Sequence, residues 1–305
     1  MPHFLKVLTL SLTTLSAHAL VDYTEKEAFV PQQSGASATA QKAPVSRSVT
    51  KPKRQTRGAG LGLELNSGVS FGTQDIEVGA TNGKASTMGF DAQIQTRFNV
   101  FMAASYFQMK SDDRALAPSS NSFQKGNPEL LIGFNWLQFG RPQDLATVDL
   151  YGGLSFGQKG SDFATSRSDK IVGVSTAKRF HTIGLGLGYE MRLTEEPESG
   201  ELSIGNISKL SASLGWVVSN DIRFLVEGSS YTVGSSDSVS GLQEDVKFAI
   251  LKPQLQLKLS PLVDLSLGAT LRTRRLKDET LTGARLWNIQ GAYGSGLFAG
   301  LSINI

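Results

Sequence analysis

The sequence predicts an all-β fold, a closed antiparallel transmembrane β-barrel of 12 strands. Three observations predict it: apolar and polar residues alternate through most of the chain, short and long connections alternate strictly, and the last strand keeps its alternation to the final residue. Leu297, Ala299, Leu301, Ile303 and Ile305 alternate with Phe298, Gly300, Ser302 and Asn304. A period of two places each set on one face of a strand. A soluble protein ending this way would expose an apolar stripe and an unpaired edge. A barrel removes both, because its final strand closes against its first.

From the beginning of the chain, Met1 to Ala19 reads as a removed signal peptide. It carries Lys6, an apolar run from Val7 to Leu15, and the small-x-small sequence Ala17-His18-Ala19. The apolar run is too short for a spanning helix, which needs about 20 apolar residues. Residues 20–57 read as a disordered periplasmic tail, interrupted by Pro31, Pro44 and Pro52 and poor in large apolar residues. The tail ends in a basic cluster of Lys51, Lys53, Arg54 and Arg57. Residues 1–57 hold 8 Lys/Arg and 3 Asp/Glu, which leaves 22 and 24 of the chain's 30 and 27 for residues 58–305. The basic pI of about 9.0 thus comes from residues 1–57, so it is no argument for nucleic-acid binding by the remainder. The absence of cysteine excludes disulfides and thiolate metal sites.

Residues 58–305 are expected to form the barrel. Short turns are predicted at 97–99, 140–146, 177–179, 219–221 and 260–262, and longer polar loops at 73–84, 111–125, 159–167, 194–206, 234–244 and 276–286. Such asymmetry fits short periplasmic turns and long external loops, and an even strand number leaves both termini on one side. Losing or adding a hairpin gives 10 or 14 strands; the least regular are 168–177 and the interrupted run 287–305. The faces agree. Met88, Phe90, Ala92 and Ile94 alternate with Asp91, Gln93 and Gln95, and Leu251, Leu255, Leu257 and Leu259 with Lys252, Gln254, Gln256 and Lys258. A soluble sandwich would show the same alternation with its apolar face inward. The leader, the loop asymmetry and the terminal strand favour the barrel. Trp136, Trp216, Phe98 and Phe101 fall near the short turns and Phe71, Phe107 and Phe156 near the long loops, as two interfacial girdles would.

With these features on residues 58–305, the chain resembles medium-sized bacterial outer-membrane β-barrel proteins. That family favours a terminal Phe or Trp, and this chain ends in Ile305. The stretch Gly126-Asn127-Pro128-Glu129-Leu130-Leu131-Ile132-Gly133-Phe134 resembles a Gly-Asp/Asn-x-x-Leu-x-x-Gly strand of transporter-type barrels found near aromatic-degradation pathways. The resemblance implies an outer-membrane location, contact with membrane lipid and lipopolysaccharide, insertion by the barrel-assembly machinery, and passive transport.

Catalytic chemistry is not expected. His3 and His18 leave with the leader, and His181 falls beside a turn without a nucleophile partner. Gly184, Gly186 and Gly188 lie on a strand and precede no helix, so they are not a dinucleotide loop. They face the lumen beside Glu190 and Arg192, where they leave room for solute or relieve crowding. The candidate pore-lining residues are Arg192, Arg223, Lys252, Lys258, Arg272 and Arg274, offset by Glu190, Glu227 and Asp264; Arg97, Glu64, Asp91, Glu129 and Asp149 share the inward parity. No cofactor or metal is expected. Two functions fit: an outer-membrane channel for passive diffusion of small polar or anionic solutes, or a non-conducting anchor that presents loops to a partner. The acidic loop 194–206, with Glu195, Glu196, Glu198 and Glu201, is the surface the second reading would use.

Overall fold

A computed structural model describes residues 63–305, apart from 79–80, 97, 115–116, 118, 120, 141–143, 196–202, 236–242, 274–283 and 285–286. The leader, the tail, Arg97, Arg274, Glu196, Glu198 and Glu201 lie outside the described residues.

The strands are β1 (Leu63–Val78), β2 (Thr81–Thr96), β3 (Val100–Ser111), β4 (Gln124–Lys125), β5 (Glu129–Phe139), β6 (Ala146–Ser155), β7 (Asp169–Phe180), β8 (Ile183–Leu193), β9 (Ile207–Val217), β10 (Ile222–Val233), β11 (Val246–Ser260), β12 (Val263–Arg272) and β13 (Gly296–Asn304). Twelve of them form the wall, each antiparallel to its neighbours in sequence order. The two-residue β4 pairs only with β3, inside a long loop. Closure comes from β1 against β13, in register from Asn66↔Asn304 to Gln74↔Gly296. It reaches the last residue: the Ile305 amide donates to the Leu65 carbonyl at 2.8 Å, and the Leu65 amide donates to that of Ile305 at 3.0 Å. Every strand edge in the apolar zone is thereby paired, as a lipid environment demands.

Alternation sets the faces. Leu297 is 69 % exposed, Leu187 59 % and Trp136 58 %, and with Leu210, Ile132, Leu251 and Ile303 they make an apolar belt around the outside. Trp136, Trp216, Phe98 and Phe180 stand near its short-turn end. A bulge between Asn135 and Leu137 adds one residue and turns Trp136 outward.

Four details differ from the sequence expectation. Most of 73–84 is strand rather than loop, because β1 and β2 continue past the apolar belt as a ribbon; Ile76 there is buried in the apolar core, but the polar residues around it hide the alternation that marks a strand. The turn expected at 177–179 is at His181-Thr182, with His181 at φ 55. Lys178 and Arg179 are strand residues at the rim, where Lys178 reaches Asp144 at 2.7 Å. Phe101 and Phe107 point into the barrel rather than into a girdle. The run 287–305 is strand only from Gly296; residues 287–295 fold into the lumen.

Inside the wall, aromatic rings lie on glycines of neighbouring strands. Phe101 covers Gly133, Tyr151 covers Gly173, and Phe298 covers Gly268, with ring atoms where a side chain on each glycine would stand. The rings replace the missing side-chain surface and fix the glycine backbone.

Candidate functional site

The lumen divides into two halves along its axis. At the short-turn end it is polar, lined by Asp91, Asp149, Arg223, Gln254, Gln256 and Asp264 on inward faces. At the long-loop end it is filled. Tyr231, Val233, Phe248, Ile250, Met109 and Phe107 point in from the wall and meet Trp287, Ile289, Ala292 and Tyr293 of the β12–β13 loop. Trp287 is fully buried. Its ring stacks on Phe248 at 5.4 Å, and Phe248 stacks on Tyr231 at 5.1 Å. Phe163, from the β6–β7 loop, meets Tyr293 edge to face at 6.2 Å. Among the described residues, an apolar plug therefore fills the long-loop end of the lumen.

Polar contacts fasten this plug at both ends. Near its tip, Asn288 has φ 53 and Gly291 φ 82, so the segment turns sharply at its deepest point. The Asn288 side chain donates to the Glu129 carboxylate at 3.0 Å and to the Asn127 carbonyl at 3.2 Å, and accepts from the Asn127 amide at 3.1 Å. Arg192 pairs with the same Glu129 oxygen at 2.5 Å and approaches the Trp287 carbonyl at 3.5 Å. At the outgoing end, Arg272 donates to the Ala292 carbonyl at 2.6 Å. Asn127 also ties in the β6–β7 loop, exchanging two bonds with Thr165 at 2.7 and 3.0 Å. Beside it, Arg167 and Asp169 form a buried bidentate pair at 2.7 and 3.3 Å.

Below the plug lies a layer of charge. Lys209 stands 3.9 Å from Glu227 and over the Tyr231 ring at 5.9 Å. Glu227 also accepts from Ser229 at 3.1 Å and faces Lys252 in register on β11. Glu190 accepts from the Tyr151 hydroxyl at 3.1 Å. A cavity of about 70 Å³, counted as space open to the centres of water molecules, sits between this layer and the plug. A smaller one of about 30 Å³ lies between Gln74, Thr87, Lys252, Thr270 and Gln290. Among the described residues, the Gln74 and Thr87 side-chain oxygens there have no hydrogen-bond partner.

The sequence-predicted residues are thus dispersed. Arg192, Glu190, Glu227 and Lys252 belong to the charged layer, whereas Arg272 braces the plug. Arg223 lies on the inward face of β10 below the layer, and Lys258 and Asp264 are register partners at the short-turn rim, where Asp264 accepts from Asn304 at 3.0 Å. Sequence reasoning passed over Lys209, Trp287, Asn288 and Tyr231. Lys209 shares the inward parity of Ser211 and Ser213, which is the signal that could have found it. Among the described residues, no cluster of His, Asp and Glu is arranged to hold a metal ion, and His181 stands exposed in its turn.

No family model and no curated protein matches the chain. Among solved structures, an outer membrane channel from Pseudomonas putida F1 superposes with a TM-score of 0.55 at 7% identity, covering 83% of this chain and 98% of that one. A NanC porin gives a TM-score of 0.49 at 10% identity, covering 79% of this chain and 98% of its own. A deletion mutant of the TodX monoaromatic hydrocarbon channel gives 0.41 at 11% identity, covering 81% and 91%. The chain has the fold of the bacterial outer-membrane β-barrels, with twelve strands, an apolar belt turned to lipid, and a loop folded into its lumen.

Proposed function

We propose that the protein is an outer-membrane channel for passive diffusion of small polar or anionic solutes, with its external mouth closed in this conformation by the β12–β13 loop. The charged layer carries the reading. Glu129, Glu190, Glu227, Arg192, Lys209 and Lys252 gather on inward faces at one level of the lumen. Withdrawing ionisable groups from bulk water is costly, and an anchor for surface loops gains nothing by it. A solute path gains recognition. Arg223, Lys252 and Lys258 on the adjacent strands β10 and β11 support a preference for anions on the way up from the short-turn mouth. The proposal includes no catalytic step; lipid and lipopolysaccharide contacts and delivery by the barrel-assembly machinery belong to it.

The test is conductance of the folded protein in planar bilayers, with a reversal-potential measurement. Openings with anion preference are expected, larger and more frequent when residues 284–293 are deleted, and shifted toward cations by Lys252→Glu plus Lys258→Glu. A folded barrel that stays silent even without residues 284–293 overturns the channel. The buried Trp287 plug favours the second reading, a closed anchor presenting its loops, and that silence would put it in front.

A further inference from the structure

We infer that the smaller cavity, between the tip of the plug and the wall, binds a small neutral vicinal diol, such as the end of a polyol. The inference rests on the channel reading and names the polar solute that pauses at this level of the lumen. Gln74 on β1, Thr87 on β2, Thr270 on β12 and Phe298 on β13 line the cavity from the wall, and Gln290 and Gly291 of the plug cover it. At Gly291, with its φ of 82, the plug rests directly on the wall: a Cβ there would stand 2.7 Å from Thr270 Cγ2. The rest of the space stays open. Gln290 also lines the larger cavity, so the two lie side by side at the plug tip.

The lining selects its occupant by elimination. Gln74, Thr87 and Thr270 are each less than a tenth exposed. Gln74 Oε1 and Thr87 Oγ1 have no hydrogen-bond partner among the described residues. A buried oxygen left so is costly, and an occupant that lowers the cost must bring donors. An apolar molecule brings none. An anion brings acceptors and would face the Gln74 oxygen. A cation brings donors but adds a second positive charge beside Lys252, which lines the same space and faces Glu227 in register. A neutral hydroxyl compound remains. Gln74 and Thr87 are diagonal neighbours across β1 and β2, since Gly72 pairs with Thr87 and Gln74 with Ala85. Two hydroxyls on adjacent carbons can therefore serve one side chain each, with the carbons against the Phe298 ring and the Gly291 backbone. The space of about 30 Å³ holds roughly two water molecules, or a chain of about four heavy atoms in their place.

Saturation-transfer NMR on the detergent-folded protein tests this with probes of equal size: ethane-1,2-diol, 1-propanol with a single hydroxyl, protonated 2-aminoethanol as the cation and acetate as the anion. The diol is expected to bind roughly tenfold more tightly than each of the others, the worth of one hydrogen bond to a buried group. Thr87→Val and Gln74→Met each remove one polar end at nearly constant size, and each is expected to bring the diol down to the level of 1-propanol. Ser155→Ala removes a buried hydroxyl of the same kind on β6, away from the cavity, and is expected to change nothing. Heat-modifiable gel migration confirms that each variant folds, and Thr87→Leu, which fills the space, is expected to abolish diol binding. Equal affinity for the probes, indifference to the Thr87 and Gln74 substitutions, or an equal loss with Ser155→Ala overturns the inference. So does the absence of any saturable diol signal while Thr87→Val lowers the unfolding midpoint, which marks a site held by water alone. The readout is independent of conductance: a protein that conducts without binding the diol keeps the channel and loses the site, and one that binds the diol but never conducts does the reverse.

Discussion

Asn288 and Asn127, 161 positions apart in the chain, pair as two strands would: the Asn288 side-chain amide donates to the Asn127 carbonyl at 3.2 Å and its oxygen accepts from the Asn127 amide at 3.1 Å. The side chain of one loop thus supplies the hydrogen bonds that a neighbouring backbone would. Asn288 can do so because it adopts the left-handed φ of 53, a region Asn tolerates better than most residues. Asn288→Ala leaves the main chain of Asn127 and the Glu129 carboxylate short of donors and acceptors, at about 1–3 kcal/mol for each buried group lost. Limited proteolysis should then cleave the β12–β13 loop several-fold faster than in the parent protein, with the barrel itself still resistant.

The Arg192–Glu129 pair predicts a larger effect. Glu129→Ala strands the Arg192 guanidinium in a site where it is nearly buried, and removing one partner of a buried pair costs about 3–5 kcal/mol. Urea unfolding in phospholipid vesicles should show the loss. Adding Arg192→Met should recover part of it, since no charge is then left without a partner. An additive double variant would mean that the two residues act separately.

Trp287→Ala removes the end member of the Trp287–Phe248–Tyr231 stack and leaves a cavity, at about 3–5 kcal/mol by the cost of truncating large buried aromatics. The protein has few other tryptophans, and both that lie on the wall, Trp136 and Trp216, face outward. The part of the emission that resists both aqueous iodide and brominated lipid, which between them reach the two outward-facing rings, should therefore disappear with Trp287. Unchanged emission would place the ring elsewhere.

Gly173 probes the wall. The Tyr151 ring occupies the place of its side chain, with the nearest atom only 2.2 Å from where a Cβ would stand. Gly173→Val must expel Tyr151 and with it the hydroxyl that donates to Glu190. Refolding yield on a heat-modifiable gel should fall, and Tyr151→Ala in the same chain should restore it.

The wall was legible in the sequence and the plug was not, for one physical reason. Lipid on one side and a polar lumen on the other impose strict alternation, so Leu251 to Leu259 and Leu297 to Ile305 announce both strand and face. Where that contrast ends, the signal ends. The β1–β2 ribbon sets the buried Ile76 among Thr73, Gln74, Asp75 and Lys84 and reads as a loop, though its ladder runs unbroken to Val78↔Thr81. The plug misleads in the opposite sense. Trp287, Ile289 and Tyr293 recur at even spacing because one side of the segment packs on the inner wall, which imitates a strand. Gly291 and the Gly294-Ser295-Gly296 break were the marks separating it from β13. For the charges, parity gave the inward direction of Arg192, Glu227 and Lys252, but the pairing of Arg192 with Glu129 crosses loops and wall in a way that no periodicity encodes.

The overhang of β1 and β2 has a consequence for how the molecule meets other chains. The β1–β13 register stops at Gln74 and the β2–β3 register at Ala85; the Asp75 amide still donates to the Ser295 carbonyl and the Lys84 carbonyl accepts from the Asp112 amide, and beyond them the two strands run on as a two-stranded ribbon to Val78 and Thr81. Closure pairs the strands along the wall, and here one pair of edges reappears outside the apolar belt. An open edge is a template on which a foreign strand can add. Asp75 and Lys84, exposed and opposite each other in register at the foot of the ribbon with their outward backbone groups bonded to Ser295 and Asp112, place a charge of each sign just below that edge. Replacing both by valine would turn that guarded edge into a nucleus for aggregation, visible as dimers and higher ladders that survive in mild detergent.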